Sequence, residues 1–304
     1  MTSATTVNKG RLQAYKELSK SGIVTLVLIS VLGGYLISFP LDQKLEWSKL
    51  WITLLGVLFL SSGSSALNQY QERTLDVTMP RTAKRPLPSG RISEIEALLF
   101  VGITLLAGIA FLTAISPLVL ALGLSAVFFY NGLYTLWWKR KFAYAAVPGA
   151  VPGALPILMG AAAASGKIDG AGVYLFFILF FWQMPHFWVL ADRYKDDYAS
   201  GGIPTLPVTH GTEVTHFQVV LWCLAYVGLV VVAPFFIGVD WLYLIASLLV
   251  GAMILFELVR YSRAREAKSW LRFFLWVNFS LILFLAFAIV DRWRMIWFPS
   301  LWVD

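Results

Sequence analysis

The chain has 304 residues, of which 59% are apolar and only 13% charged, and its mean hydropathy is +0.73. A soluble domain carries about 25% charged residues, so this composition excludes a soluble globular or disordered protein and points to an integral membrane protein. The net charge of +7 is explained by basic residues gathered in loops, which leaves no case for a nucleic-acid partner. The single cysteine, Cys223, lies in an apolar run and excludes an intramolecular disulfide.

In chain order, residues 1–21 form a basic polar segment (Lys9, Arg11, Lys16, Lys20) with no cleavable signal. Apolar runs long enough to cross a bilayer follow at about 22–40, 49–68, 94–114, 117–137, 143–164, 170–191, 216–238, 241–261 and 271–290. Nineteen of the 24 Lys and Arg flank these runs on one side, in the N-terminal segment and after the second, fourth, sixth and eighth spans. The positive-inside rule then places the N-terminus in the cytoplasm and the C-terminus outside, as for a bacterial inner or plasma membrane. Span five is rich in Gly and Pro (Pro148, Gly149, Pro152, Gly153, Pro156) and is expected to be kinked or broken where it lines a cavity. The expected fold is therefore all-α and polytopic. About nine transmembrane helices surround a central apolar cavity, with residues 22–304 as one transmembrane domain.

Two acidic clusters end apolar spans on the basic side. Asn68, Glu72 and Asp76 are spaced i, i+4, i+8, so on a helix successive members rotate by only about 40° and line one face. Asp192, Asp196 and Asp197 end the sixth span in a comparable way. Carboxylates near hydrocarbon are costly and mark function. Hard divalent cations take oxygen ligands, and Mg²⁺ is commonly shared between one or two carboxylates and substrate phosphates. The oxygens of Asn68, Glu72, Asp76, Asp192 and Asp196 (or Asp197) are thus candidate metal ligands. Arg81, Lys84 and Arg85 are placed to add charge-assisted hydrogen bonds to a diphosphate. The bland alternative is a set of helix-end acids in solvent, paired with neighbouring Lys and Arg.

Asn68-x₃-Glu72-x₃-Asp76 followed by Met79-Pro80-Arg81-Thr82-Ala83-Lys84-Arg85-Pro86-Leu87 resembles the first signature of the UbiA superfamily of intramembrane prenyltransferases. Trp182-Gln183-Met184-Pro185-His186-Phe187-Trp188, and Asp196-Asp197-Tyr198 followed by Gly202-Ile203-Pro204-Thr205-Leu206-Pro207-Val208, are similar to the protohaem IX farnesyltransferase (haem O synthase) branch. Tyr134-Thr135-x₃-Lys139-Arg140 resembles the motif of span four. The likeness runs from about residue 20 onward.

The resemblance implies a Mg²⁺-dependent (or Mn²⁺-dependent) transfer of a farnesyl group from farnesyl diphosphate to a vinyl group of haem B, with addition of water to give haem O. It implies Asn68, Glu72, Asp76, Asp192, Asp196 and Asp197 as the catalytic acids and their amide. The cations for the diphosphate would be Arg73, Arg81, Lys84, Arg85, Lys139, Arg140 and Lys195. Tyr130, Tyr134, Trp182, His186 and Trp188 would line the prenyl and acceptor pocket, with electron-rich rings facing an allylic cation. His186, inside a span, is either a haem-iron ligand or a hydrogen-bonded packing residue. Haem A synthase or oxidase assembly proteins are the implied protein partners in the bilayer. The second acidic pair stays open, because Asp192/Asp196 has the superfamily spacing and Asp196/Asp197 the branch position. Departures at Glu72, Ala145 and Pro156-Ile157 bear on the acceptor pocket. Two other readings compete: an aromatic quinone precursor as acceptor, and an ion-coupled transporter. The second is disfavoured by acids clustered at one face rather than at the midplane.

Overall fold

The computed structural model of the chain describes residues 2–264 and 266–297, without the side chains of residues 2–9 and Met295. Arg265, one of the loop cations counted above, and the residues after Trp297 lie outside it. The elements are α1 (Thr2–Leu18), α2 (Ser21–Ser38), α3 (Trp47–Asp76), α4 (Glu94–Thr113), α5 (Pro117–Val127), a π-helical segment (Phe128–Trp138), α6 (Lys139–Lys141) and α7 (Ala146–Ser165). They continue as α8 (Gly170–Arg193), α9 (Lys195–Ser200), α10 (Leu206–Val231), α11 (Pro234–Ile237), α12 (Trp241–Ala264) and α13 (Ala267–Trp297). Among the described residues nine helical stretches are long and apolar enough to cross a membrane, one for each expected span.

Local chemistry explains several of the boundaries. Ser93 and Glu96 form a reciprocal capping box at the start of α4, which satisfies two of its orphan backbone donors. Ser116 caps α5, with Pro117 in the first turn, where a missing N–H costs nothing. α3 runs past the expected end at 68 and carries its polar residues to Asp76 as one helix. The seventh span starts at Leu206, ahead of the expected 216, and its backbone breaks from helical geometry at Gly211 (φ 82°).

Span five departs from expectation. α7 is a continuous helix through Pro152 and Pro156, and 72% of its most apolar window is buried, more than in any other span. Its small residues allow close packing instead of a break. A Cβ at Gly160 would lie 2.1 Å from the Val31 carbonyl oxygen of α2, and one at Gly34 would lie 2.0 Å from the Ile157 carbonyl oxygen of α7. The two backbones are therefore in near contact. The bundle closes where α13 returns to α2: the Trp293 indole donates to the Leu36 carbonyl at 2.9 Å and Arg292 to the Phe39 carbonyl at 3.1 Å.

The N-terminal segment is also more than a solvated tail. Ala14 and Leu18 of α1 are buried with Ala66, Leu87, Ile92, Ala97 and Val101. The Gln69 amide of α3 donates to the Glu17 and Leu18 carbonyls at 2.7 and 2.9 Å. This docks α1 across the end of α3.

Gly160→Val tests the α2–α7 contact. Overpacking there costs about 1–3 kcal/mol, so the variant melts several degrees below wild type in detergent. A melting temperature equal to wild type excludes the close approach.

Candidate active site

The end of α3 carries the densest buried charge in the described chain. Asn68, Glu72 and Asp76 are 2, 2 and 0% exposed and share one helix face, as their spacing requires. Each meets a cation from a different segment. Lys20, between α1 and α2, donates to Asn68 Oδ1 at 2.5 Å. Lys139, at the end of the fourth span, donates to Glu72 Oε1 at 2.6 Å. Arg85 of the loop after α3 places Nη1 2.8 Å from both oxygens of Asp76 and 4.0 Å from Glu72 Oε2. That loop is pinned by the Thr82 hydroxyl, which donates to the Asp76 carbonyl at 2.9 Å.

Lys20 is the one non-glycine residue with positive φ among the described residues (52°). The left-handed backbone costs roughly 1–2 kcal/mol, and it turns the chain from α1 into α2 while the side chain runs inward. Burial, then the like charge of Arg85, pushes its ammonium down to about 7, against the pull of Glu72 and Asp76. The same ammonium donates to the Tyr130 hydroxyl at 3.2 Å.

The fourth span faces α3 through its π-helical segment. Asn131 donates to the Ser64 carbonyl at 2.9 Å and Thr135 accepts from Asn68 Nδ2 at 3.0 Å. Tyr130 and Tyr134 stack with ring centroids 6.1 Å apart. A narrow cleft of about 10 Å³ is bounded by Tyr134, Lys139, Phe187, Tyr198 and Thr205.

The second acidic cluster stands at the same end of the bundle. Met79 of the loop after α3 packs with Ala191, Tyr198 and Ile203. Arg81 Nε lies 3.7 Å from Asp197 Oδ2, with its guanidinium over the Tyr194 ring. The helix is interrupted at Tyr194 (φ −109°, ψ 30°), so Asp192 and Asp196 do not share a continuous helical face. Asp192 and Asp197 are half-buried, whereas Asp196 is exposed.

Other expected residues fall elsewhere. Arg73 is rotated off the acidic face and pairs with Glu94 at 2.9 Å. Lys84 is exposed, as is Arg140, which reaches the Gln71 carbonyl at 3.4 Å; Lys195 is half-buried on α9. Trp182 is spent in packing, with its indole donating to the Val277 carbonyl of α13 at 2.7 Å. His186 is sandwiched between Trp182 and Phe274 at 5.2 and 5.1 Å, on the α13 side of α8. Trp188 is fully buried, edge-on to Tyr144 and Trp222. Phe187, not His186, is the residue of this motif that lines the cleft. Asn131 was not picked out by sequence; Lys20 stood there only as a basic flank, and Thr135 and Tyr198 only as members of motifs, none with a role at the site. The signal available for Asn131 and Thr135 was a polar pair at i, i+4 inside an apolar span.

The donor set suits a hard cation. Asn68, Glu72 and Asp76 bring an amide oxygen and two carboxylates to one face, with Lys139 against Glu72 and Arg85 against Asp76. Among the described residues no three His, Cys, Asp or Glu converge. Mg²⁺ is commonly shared between one or two protein carboxylates and substrate phosphates.

Such a pair of acidic helix ends within an all-helical membrane bundle defines a class. The chain belongs to the UbiA prenyltransferase family, which it matches over residues 27–299. It is 48% identical to a protoheme IX farnesyltransferase of Bdellovibrio bacteriovorus over 94% of this chain and 98% of the relative. A protoheme IX farnesyltransferase of Aquifex aeolicus is 37% identical over 90% and 93% of the two chains. Solved structures share the fold. A digeranylgeranylglyceryl phosphate synthase superposes with a TM-score of 0.75 at 20% identity, covering 93% of this chain and 99% of that one. A UbiA homologue from Archaeoglobus fulgidus, bound to GPP and Mg²⁺, gives 0.68 at 17% identity over 92% and 99%.

A double-mutant cycle on Glu72 and Lys139 tests this geometry. Lys139→Met strands a buried carboxylate and costs about 3–5 kcal/mol of stability. Adding Glu72→Gln restores part of it, read as a higher melting temperature for the double variant than for Lys139→Met alone. Simple additivity of the two losses excludes the pair.

Proposed function

We propose that this chain transfers the farnesyl group of farnesyl diphosphate to a vinyl group of haem B, with addition of water, giving haem O. One observation carries the chemistry: a buried face of two carboxylates and an amide oxygen ringed by three cationic side chains. The acceptor is supported by the names of relatives that match nearly the whole chain.

Asn68, Glu72 and Asp76, with Asp197 or Asp192 opposite, would hold Mg²⁺ (Mn²⁺ is of the same oxygen-preferring class). When bound, the metal neutralises charge that builds on the departing diphosphate. Arg85, Lys139 and Lys20 stand within the same shell. Arg85 and Lys139 meet the two carboxylates and Lys20 the Asn68 amide oxygen, donors suited to the oxygens of a diphosphate. Arg81, paired with Asp197, lies between the two acidic segments and can follow the same anion.

The C–O bond of the allylic diphosphate breaks with its electron pair leaving on oxygen. The haem vinyl π pair then forms the new C–C bond, water captures the resulting porphyrin-side cation, and that water loses a proton. Tyr130 and Tyr134 present stacked rings at the mouth of the acidic face, where ring faces attract positive charge. Burial excludes bulk water, which would otherwise quench the farnesyl cation.

The positive-inside rule supports an acidic end that would face the cytoplasm of a bacterium, with the chain in the plasma membrane and the C-terminus outside. Haem O is membrane-bound, so its consumer, a haem A synthase or an oxidase assembly protein, is sought in the same bilayer.

Purified protein incubated with haem B, farnesyl diphosphate and Mg²⁺ yields a porphyrin whose mass has grown by a farnesyl group and a hydroxyl. An unchanged porphyrin with release of pyrophosphate rejects the acceptor. Asp76→Ala remains folded and loses at least about a hundredfold in turnover, the scale at which even outer-shell losses cost metal sites. Wild-type turnover in that variant rejects the acidic face as the centre.

A further inference from the structure

We propose that Thr135 is a positioning residue that fixes which end of the Asn68 amide faces the site. This rests on the reading of Asn68 as an oxygen ligand for a divalent cation. Thr135 is fully buried. Its hydroxyl donates to the Tyr130 carbonyl at 2.8 Å. A hydroxyl has one hydrogen to give, so toward α3 it presents only lone pairs. Asn68 answers with its donor end, Nδ2 at 3.0 Å.

The opposite end of the amide is thereby set. Oδ1 points to the Lys20 ammonium at 2.5 Å, and an ammonium has donors only. Two neighbours, on the fourth span and on the α1–α2 turn, impose the same orientation. A flipped amide would turn its N–H groups on Lys20 and its oxygen on a hydroxyl whose hydrogen is already engaged. The same orientation is the only one of use to a metal, because an amide coordinates through oxygen and repels a cation with its NH₂ end.

The π-helical segment makes this possible. In an α-helix a threonine hydroxyl bonds the carbonyl three or four residues back. Here the widened turn lets Thr135 reach Tyr130, five residues back. One turn earlier Asn131 fixes the register: its Nδ2 donates to the Ser64 carbonyl at 2.9 Å and to Gln71 Oε1 at 3.3 Å, and the Gln71 amide returns a bond to the Asn131 carbonyl at 3.2 Å. π-helical turns often occur at functional sites. This one aims a hydroxyl at a ligand amide.

The test uses full-length protein in detergent, with Mn²⁺ and inorganic pyrophosphate as probes and bound Mn²⁺ read by electron paramagnetic resonance. Thr135→Val weakens Mn²⁺ binding about tenfold, the lower end of what outer-shell losses cost a metal site. Thr135→Ser, which keeps the hydroxyl, stays near wild type. Asn68→Asp has oxygen at both ends and no orientation to lose, so adding Thr135→Val to it changes binding little. Thr135→Ala carries the same comparison if the valine variant is not recovered folded. An unchanged affinity in Thr135→Val overturns the proposal, and so does an equal loss in the Asn68→Asp background, which marks a merely structural role. If Asn68→Ala itself binds Mn²⁺ like wild type, the metal-site reading has failed, and Thr135 has nothing to orient.

Discussion

Two carboxylates, Glu72 and Asp76, are buried to 2 and 0% exposure on one face of a membrane helix, and the rest of the site follows from that constraint. Taking an ion out of water costs several kcal/mol even after relaxation. The cost is offset only if opposite charge and hydrogen bonds arrive with good geometry. Here they arrive from three places distant in sequence: the α1–α2 turn with Lys20, the loop after α3 with Arg85, and the end of the fourth span with Lys139. Each segment is held against α3 partly by the charge it neutralises. The acidic face therefore acts as a structural hub as well as a chemical one.

That dual role has a physical consequence for substrate binding. Arg85 and Lys139 satisfy the two carboxylates, while Lys20 meets the neighbouring Asn68 amide oxygen. In a site of low effective dielectric such charges act strongly and need little reorganisation to meet an incoming anion. On the proposed reading, a diphosphate entering with a metal would redistribute contacts already present: Asn68, Glu72 and Asp76 would hold the metal, and Arg85 and Lys139 would turn to phosphate oxygens. The electrostatic environment that makes the fold possible without substrate is thus close to the one the reaction requires.

How much of this the sequence revealed depends on what periodicity can express. The nine spans and the shared face of Asn68, Glu72 and Asp76 were legible, because hydropathy and i, i+4 spacing translate directly into helix geometry. The destinations of the basic residues were not. Arg73 falls between Glu72 and Asp76 and Arg85 follows them in sequence, but Arg73 sits about 100° around the helix from Glu72 and meets Glu94, whereas the loop folds Arg85 back onto Asp76. Trp182, His186 and Trp188 lie on α8 beside Phe187. Which of them lines the cleft is decided by how α8 is rotated against α13, and pattern alone does not fix that angle. The interruption at Tyr194 and the π-helical segment are likewise set by tertiary contacts. The Gly/Pro run of α7 does not break the helix, because small residues that weaken one in isolation also let two helices approach closely.

The two ends of the bundle are built differently, and the contrast bears on function. Away from the site, α13 is tied to α2 by Trp293 and Arg292. Arg294 bridges Asp291 and Asp240, reaching the latter at 2.8 Å. Along the middle, α2 and α7 pack backbone to backbone at Gly34 and Gly160. These contacts join long helices and leave them little room to shift. The site end consists of the α1–α2 turn, the loop after α3, a π-helical segment and the short α9. Short segments with few apolar contacts open at lower free energy than long packed helices. A rigid frame can hold the α3 acids in register while the cation-bearing segments move to admit a bulky porphyrin and a prenyl chain. The narrow cleft between Tyr134 and Phe187 is bounded by the π-helical segment, α8 and the short α9.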